Sequence, residues 1–121
     1  MSILSYAKTT HSCVEAADIL AKSGVSSEVI DLRSLKPLDE DAILRSARKT
    51  GRVLIVHEAS RMCGVGAEVA AIVAQKAFHS LKAPVHRLTG PDTPAPSSYM
   101  LEQAFIPQVN NIVETVKTML D

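Results

Sequence analysis

Hydrophobic and polar positions switch between two spacings along this chain, and the switching predicts strands that alternate with helices. Short apolar runs rich in β-branched residues occupy positions 3–6, 28–32, 52–57 and 85–88, which is typical of β-strands. The run at 52–57 is apolar on both faces, as a central parallel strand requires. Apolar residues at helical spacing follow the first three runs, so the pattern predicts strands connected by helices.

Local signals set the expected limits of these helices. Thr9, Thr10 and Ser12 offer side-chain oxygens that suit the cap of the first helix. A second helix is expected near 39–50 and a third at 66–81. The apolar face predicted for the first helix consists of Val14, Ala17, Ile19, Leu20 and Ala21.

The C-terminal third is predicted to contain an ordered loop and one more helix. Three of the six prolines fall within 89–98, which indicates a turn-rich loop. Pro107 suits the opening of a helix, where no N–H is needed. The apolar stripe expected on that helix consists of Val109, Ile112, Val113, Val116 and Leu120.

Together these elements predict an α/β fold. We expect one domain over 1–121, with three layers (α/β/α) around a mostly parallel sheet of four to five strands. Such sheets place their sites at the carboxyl ends of the strands, where the strand order reverses. If the first and third strands flank that point, the loops 7–10 and 58–66 meet there.

Composition and charge exclude several classes of function. The 121 residues carry 13 basic and 13 acidic side chains, with two Phe, two Tyr and no Trp, so neither nucleic acid nor a membrane is an expected partner. The longest apolar segment, 65–78, is interrupted by Glu68 and Lys76 and is too short to span a bilayer. No secretory signal is evident, and Cys13 and Cys63 are expected to be free thiols.

The strand end at His57 leads into the glycine pair Gly64 and Gly66, which raises the question of a nucleotide site. A dinucleotide fingerprint needs a small third residue where this chain has Val69, and Glu68 would repel a phosphate at the helix start. We therefore expect a tight structural turn and no cofactor-binding residue in this chain.

Other chemical hypotheses are also weak. Cys63 lies near His57, but no third group orients the histidine, so a Cys–His nucleophile is not expected. The spacing of His11 and Cys13 does not suit a metal site. No catalytic or metal-binding residue is predicted, and the pair His57 and Glu58 is assigned to contact with a neighbouring domain.

Five segments occur in the order and spacing of one family. The chain resembles the C-terminal domain of the β subunit of thiamine-dependent 2-oxo acid dehydrogenases, a family of oxidoreductases that includes pyruvate, branched-chain and acetoin enzymes, and it is related to transketolase C-terminal domains. The resemblance covers nearly the whole chain. Its segments are EVIDLRSLKPLDEDAI, KTGRVLIVHEA, GVGAEVAA, LKAPVHRLTGPDTPAP and IPQV.

The resemblance implies a mixed sheet whose antiparallel edge strand comes from residues before the equivalent of Ile3. The chain is therefore expected to be a piece of a longer β subunit that lacks this strand and the catalytic part. In the parent enzyme thiamine diphosphate and magnesium lie between the α subunit and the first domain of the β subunit. The implied partners of this domain are the α subunit, a second β subunit of the heterotetramer, and the dihydrolipoyl acyltransferase core of the multienzyme complex.

Interface residues are carried over from the same resemblance. His57, Glu58, Arg61, Gly64 and Gly66 belong to the loop that faces neighbouring domains in the family. Leu120 and Asp121 occupy the end that is expected to dock the acyltransferase. Family members often have glycine where this chain has Cys63.

The expected function is a non-catalytic assembly and docking domain. The parent reaction is decarboxylation of a 2-oxo acid with transfer of the acyl group to lipoamide, and no activity is expected from this chain alone. The alternatives are the corresponding domain of a transketolase or a deoxyxylulose-phosphate synthase, and a separate nucleotide-binding module. We expect a cytoplasmic location in bacteria or a mitochondrial matrix location in eukaryotes, and self-association of the chain.

Overall fold

A computed structural model describes residues 1–120 and places four parallel strands between two layers of helices. The strands run in the order β2-β1-β3-β4. Helices α1 and α5 pack together, and α2 packs against α3. The elements are β1 (Ser2–Ser5), α1 (Thr9–Lys22), β2 (Glu28–Asp31), α2 (Glu40–Thr50), β3 (Val53–Ser60), α3 (Val65–Ala77), β4 (His86–Gly90), α4 (Tyr99–Phe105) and α5 (Val109–Leu120).

The sheet separates two hydrophobic clusters because side chains alternate along each strand. Ile3 and Leu54 pack with residues of α1 and α5 on one face. Leu4 and Ile55 pack with residues of α2 and α3 on the other. The three-layer architecture and the four-strand parallel sheet confirm the predicted fold class.

The buried face of α1 differs from the predicted one. Its buried residues are Thr9, Cys13, Ala16 and Leu20, whereas Val14 is 48% exposed. Leu20 is buried as predicted, but the small or polar Thr9, Cys13 and Ala16 fill the rest of the stripe that faces the sheet. Hydrophobicity alone therefore placed the buried face only in part. No side-chain oxygen caps this helix, since Lys8 is at the N-cap and the hydroxyl of Thr9 donates to the carbonyl of Tyr6 at 2.9 Å.

Three differences concern the rest of the chain. The third helix ends at Ala77 and continues as a short 3₁₀ turn, Phe78–Ser80, which shortens the predicted helix. Helix α4 follows the proline-rich loop and was not predicted. In α5, Met119 takes the buried position expected for Leu120, which is 39% exposed.

Candidate functional site

The loops that follow β1 and β3 lie side by side at the carboxyl edge of the sheet. Both strands are parallel neighbours at the centre of the sheet, and the connection from β1 leads outward to β2 while β3 continues to β4. This is the point at which the strand order reverses, where ligands bind in open α/β sheets. The prediction that the loops 7–10 and 58–66 meet at this crevice agrees with the topology.

His57 fills the crevice from the last part of β3. Its side chain is fully buried and lies against Tyr6, with ring centroids 5.7 Å apart and an angle of 26° between the planes. Its Nε2 accepts a hydrogen bond from the backbone N–H of Gly66 at 3.2 Å, so Nδ1 carries the proton and donates to the carbonyl of Ala59 at 3.2 Å. Both ring nitrogens of the neutral imidazole are therefore engaged within the chain.

The glycine pair makes room for this histidine. A Cβ added at Gly66 would lie 2.7 Å from Cδ2 of His57 and closer still to Nε2. A Cβ at Gly64 would lie closest to the backbone carbonyl oxygen of Ser60, and 2.9 Å from Cε1 of His57. Those separations are too short for carbon atoms, so neither position accepts a side chain while the ring stays in place. Gly66 therefore serves the packing of the imidazole, while Gly64 is also required by the close approach of the Ser60 backbone.

The same contact affects the amide groups that a nucleotide site would use. In such sites the first N–H groups of the helix bind phosphate. Here the Gly66 N–H is already donated to His57, and the exposed carboxylate of Glu68 lies in the first turn of α3. A side chain of the protein occupies the position that a phosphate would need.

Burial sets the protonation of the groups in the crevice. Burial lowers the pKa of His57, and the nearby Arg87 charge lowers it a little further. The hydrogen bond to the Ala59 carbonyl acts in the opposite direction and raises this pKa. Burial raises the pKa of Tyr6, and the Glu58 charge adds to that effect. The imidazole and the phenol are thus both held in their neutral forms near pH 7.

We expect the free energy of unfolding to fall as the pH drops below about 6.5, the ordinary pKa of histidine. Because the folded pKa of His57 is lowered, the unfolded chain binds the proton more tightly than the folded chain. The contribution of neutral His57 to stability is therefore complete above that pH and is lost below it. Protonation would also remove the acceptor that pairs with Gly66. Urea unfolding at pH 7.5 and pH 5 measures the change.

The control is His57→Gln, which lacks the titrating ring. The pKa of the Met1 amino group is also lowered by burial, and this group is common to both proteins, so their difference isolates His57. An equal pH dependence in both proteins would contradict the assignment.

The two cysteines do not form a catalytic centre with this histidine. Cys63 is exposed and has a left-handed backbone with φ of 57°, a conformation that favours glycine. Since Nε2 of His57 accepts from Gly66, it is not free to take a proton from Cys63. Cys13 is buried, and burial raises its pKa to about 11, so its thiol is unreactive at neutral pH.

The predicted interface residues lie at different depths. His57 and Gly66 are buried within the chain, so they support the loop from beneath and do not form its surface. Gly64 and Glu58 are half-buried, and Arg61 is exposed. Leu120 lies far along the chain at the end of α5, and Asp121 lies outside the described residues.

Arg61 was predicted as an interface residue, but sequence reasoning missed its partner Arg87 and the role of Asp92. Arg61 and Arg87 each donate to the backbone carbonyl of the other, at 3.1 and 2.9 Å, and Asp92 accepts the N–H of Met62 at 2.7 Å. These bonds tie the loop after β3 to β4 and to the loop that follows it. The pair Gly90-Pro91 was a turn signal, but no local pattern linked it to Arg61, about 30 residues earlier.

Neither a metal-binding cluster nor a membrane-spanning helix occurs within residues 1–120. In that range no three His, Cys, Asp or Glu side chains are grouped so that they could hold a metal ion. No helix in the same range is long and apolar enough to cross a membrane.

Comparison with known proteins identifies relatives over nearly the whole chain. The β subunit of the mitochondrial pyruvate dehydrogenase E1 component of Dictyostelium discoideum is 40% identical over 97% of this chain and 33% of its own length. The acetoin:2,6-dichlorophenolindophenol oxidoreductase β subunit of Cupriavidus necator is 43% identical over 98% of this chain and 36% of its own length. The chain thus spans about a third of the length of these relatives.

A solved structure and a family model give the same result. The structure, described as a split gene transketolase in an inactive beta4 tetramer, superposes with a TM-score of 0.83 at 28% identity and covers 98% of this chain and 37% of that one. The model for the C-terminal domain of transketolase matches residues 1–112. The resemblance found in the sequence is confirmed, and the chain belongs to the transketolase C-terminal domain family.

Proposed function

We propose that this chain is the C-terminal domain of the β subunit of a thiamine-dependent 2-oxo acid dehydrogenase, of the pyruvate or acetoin type, and that it serves assembly. The support is the identity of 40–43% to two such β subunits. The parent enzyme would decarboxylate a 2-oxo acid and transfer the acyl group to lipoamide. Its location would be the cytoplasm in bacteria and the mitochondrial matrix in eukaryotes.

The non-catalytic role rests on one observation, the filled crevice. His57 occupies the strand end at which this type of fold accepts a ligand, and both ring nitrogens are used within the chain. A residue acting as general base needs a free nitrogen within reach of substrate. The crevice therefore holds the loops in place, and we assign no catalytic residue to it.

The residues of this domain do not fit thiamine diphosphate and its magnesium ion. A diphosphate would need the free amides of the glycine turn, but the Gly66 N–H is donated to His57. The described residues 1–120 also offer no three-residue group for a metal. We therefore assign the cofactor to other parts of the parent enzyme.

Assembly would use the exposed side of the same edge. Glu58 and Arg61 flank the crevice, and the first turn of α4 presents Tyr99, Met100 and Leu101, which are 60–77% exposed. Exposed apolar patches of this kind mark interaction surfaces in soluble proteins. The α subunit and a second β subunit are the proposed partners here. Leu120, which is exposed, and Asp121, which lies outside the described residues, remain candidates for docking the acyltransferase core.

Self-association of the 121-residue chain tests the assembly role. Sedimentation velocity at rising concentration should show dimers or larger species, and Met100→Lys should weaken the association at least about tenfold, because a buried unpaired charge costs more than 1.4 kcal/mol. The matched control is Phe78→Lys, which changes an exposed side chain at the far end of α3. A purely monomeric wild-type chain, or equal weakening by both variants, would contradict the proposal.

Two alternatives make different predictions. The first is the corresponding domain of a transketolase, which the likeness to the solved structure supports, or of a deoxyxylulose-phosphate synthase. An uninterrupted reading frame for a long single chain would favour this alternative, whereas an adjacent gene for a thiamine-binding α subunit would favour our proposal. The second alternative, a nucleotide-binding module, predicts measurable binding of NAD or ATP by calorimetry. We expect that titration to be flat because His57 blocks the helix start.

A further inference from the structure

A cavity of about 540 Å³ lies beside the crevice, between the end of β4 and helix α4. Arg61 and Arg87 line it together with the apolar side chains of Pro91, Phe105 and Pro107. Its volume falls within the usual range of sites for small ligands, which combine apolar walls with a few polar groups. Assembly of subunits alone does not require a cavity of this composition.

The two arginines are fixed next to each other by their reciprocal hydrogen bonds. Nη1 of Arg61 donates to the carbonyl of Arg87, and Nη1 of Arg87 donates to the carbonyl of Arg61. A guanidinium has five N–H donors, so each arginine keeps donors for a further acceptor. Because the backbone contacts already restrict both side chains, a ligand would pay less conformational entropy to bind them.

Neither guanidinium has an acidic partner among residues 1–120. The ion pairs in that range join Arg33 to Asp31, Lys49 to Glu28 and Lys76 to Glu40. One acid, Asp92, lines the cavity, and its Oδ1 accepts the N–H of Met62.

The arrangement therefore brings two positive charges to one cavity that contains a single carboxylate, itself hydrogen-bonded to the backbone. A second cavity, at the ends of β1 and β2, shows the contrast: its Arg33 is paired with Asp31. The excess positive charge at Arg61 and Arg87 indicates that this cavity accepts an anion.

We propose that this cavity binds a carboxylate that is attached to an apolar group. The planar guanidinium fork matches the two oxygens of a carboxylate, and Phe105 with the two prolines would cover the apolar group. A small carboxylic acid and an acidic residue within an apolar protein segment share this chemistry. The geometry assigns Arg61 and Arg87 to the carboxylate in both cases.

The first test uses the unaltered 121-residue chain and three probes. Titration with 4-methylpentanoate, followed by NMR, should shift the amides of Gly90, Asp92 and Ile106. The neutral 4-methylpentanamide should bind about tenfold more weakly, because it loses the charge-assisted bonds. Acetate, which lacks the apolar group, should also bind more weakly. Equal binding of acid and amide, or no shift with the acid, would overturn the proposal.

The second test removes the guanidinium groups one at a time. Arg87→Gln and Arg61→Gln should each weaken binding of 4-methylpentanoate about tenfold. The matched control is Arg48→Gln, since Arg48 also donates to a backbone carbonyl, that of Lys76 at 3.0 Å, but lies on α2. Equal losses in all three variants would show unspecific attraction and overturn the assignment.

A third experiment, with peptides, identifies the source of the carboxylate. Acetyl-Leu-Glu-Leu-amide is compared with its glutamine counterpart on the wild-type chain. Tighter binding of the acidic peptide than of 4-methylpentanoate supports a protein segment, and binding of the small acid alone supports a free metabolite. A monomeric chain that still binds the acid would refute the proposed assembly role and leave this site standing.

Discussion

Replacing Gly66 by alanine should lower the free energy of unfolding by about 3 kcal/mol, although alanine is the better helix former. The added Cβ would lie 2.7 Å from Cδ2 of His57, closer still to Nε2, and 3.1 Å from Cγ2 of Ile55. His57 is fully buried, so its ring cannot swing toward solvent without giving up its contacts. Urea denaturation at pH 7.5 measures the loss.

A double-mutant cycle with His57→Ala separates the steric cause from other effects. Without the imidazole ring, the Cβ at position 66 no longer overlaps with Cδ2 and Nε2 of His57. Helix propensity then favours alanine over glycine by about 1 kcal/mol. We expect a coupling free energy of about 2 kcal/mol or more between the two substitutions. Additive losses would show that the glycine is needed for another reason, such as the approach of a ligand to the backbone.

Gly90→Ala should cost about 2 kcal/mol, the second largest effect that we expect. A Cβ at this position would lie 2.9 Å from Cε1 of Phe105 and closer still to the carbonyl oxygen of Glu58. That carbonyl belongs to the irregular end of β3, where the register with β4 shifts between His57 and Ser60. The substitution would thus push α4 and the end of β3 away from β4.

The control for this prediction is Phe105→Ala, which removes the side-chain half of the clash. Because the backbone oxygen of Glu58 remains, Gly90→Ala should still cost most of its 2 kcal/mol or so in that background. This contrasts with Gly66, where removing one side chain restores most of the stability. If Phe105→Ala removed the whole cost of Gly90→Ala, the backbone at Glu58 would be able to move away from the added Cβ, and the prediction would be contradicted.

The strands of this fold were predictable because their signal is local. The run at 52–57 is apolar on both faces, and residues 53–57 are buried at the centre of the sheet. Helix α1 was harder, since its buried stripe contains Thr9, Cys13 and Ala16. Small residues carry little hydrophobic signal, so the face was decided by close packing against the sheet. Helix α4 has seven residues, none of them buried, and it therefore left no periodic pattern.

The sequence by itself determined the fold class, the family and the conclusion that the glycine turn is a poor phosphate site. The fold class depends on strand and helix periodicity, and the family on the resemblance of five segments to known relatives. The conclusion about the turn depends on residues close in the chain, such as Glu68 and Val69. Only the tertiary structure showed what the turn does instead: His57 reaches across nine residues to the amide of Gly66. It also brought Arg61 to Arg87, 26 residues apart. The arginine pair depends on β3 and β4 becoming neighbours in the sheet, and no local sequence pattern encodes which strands pair.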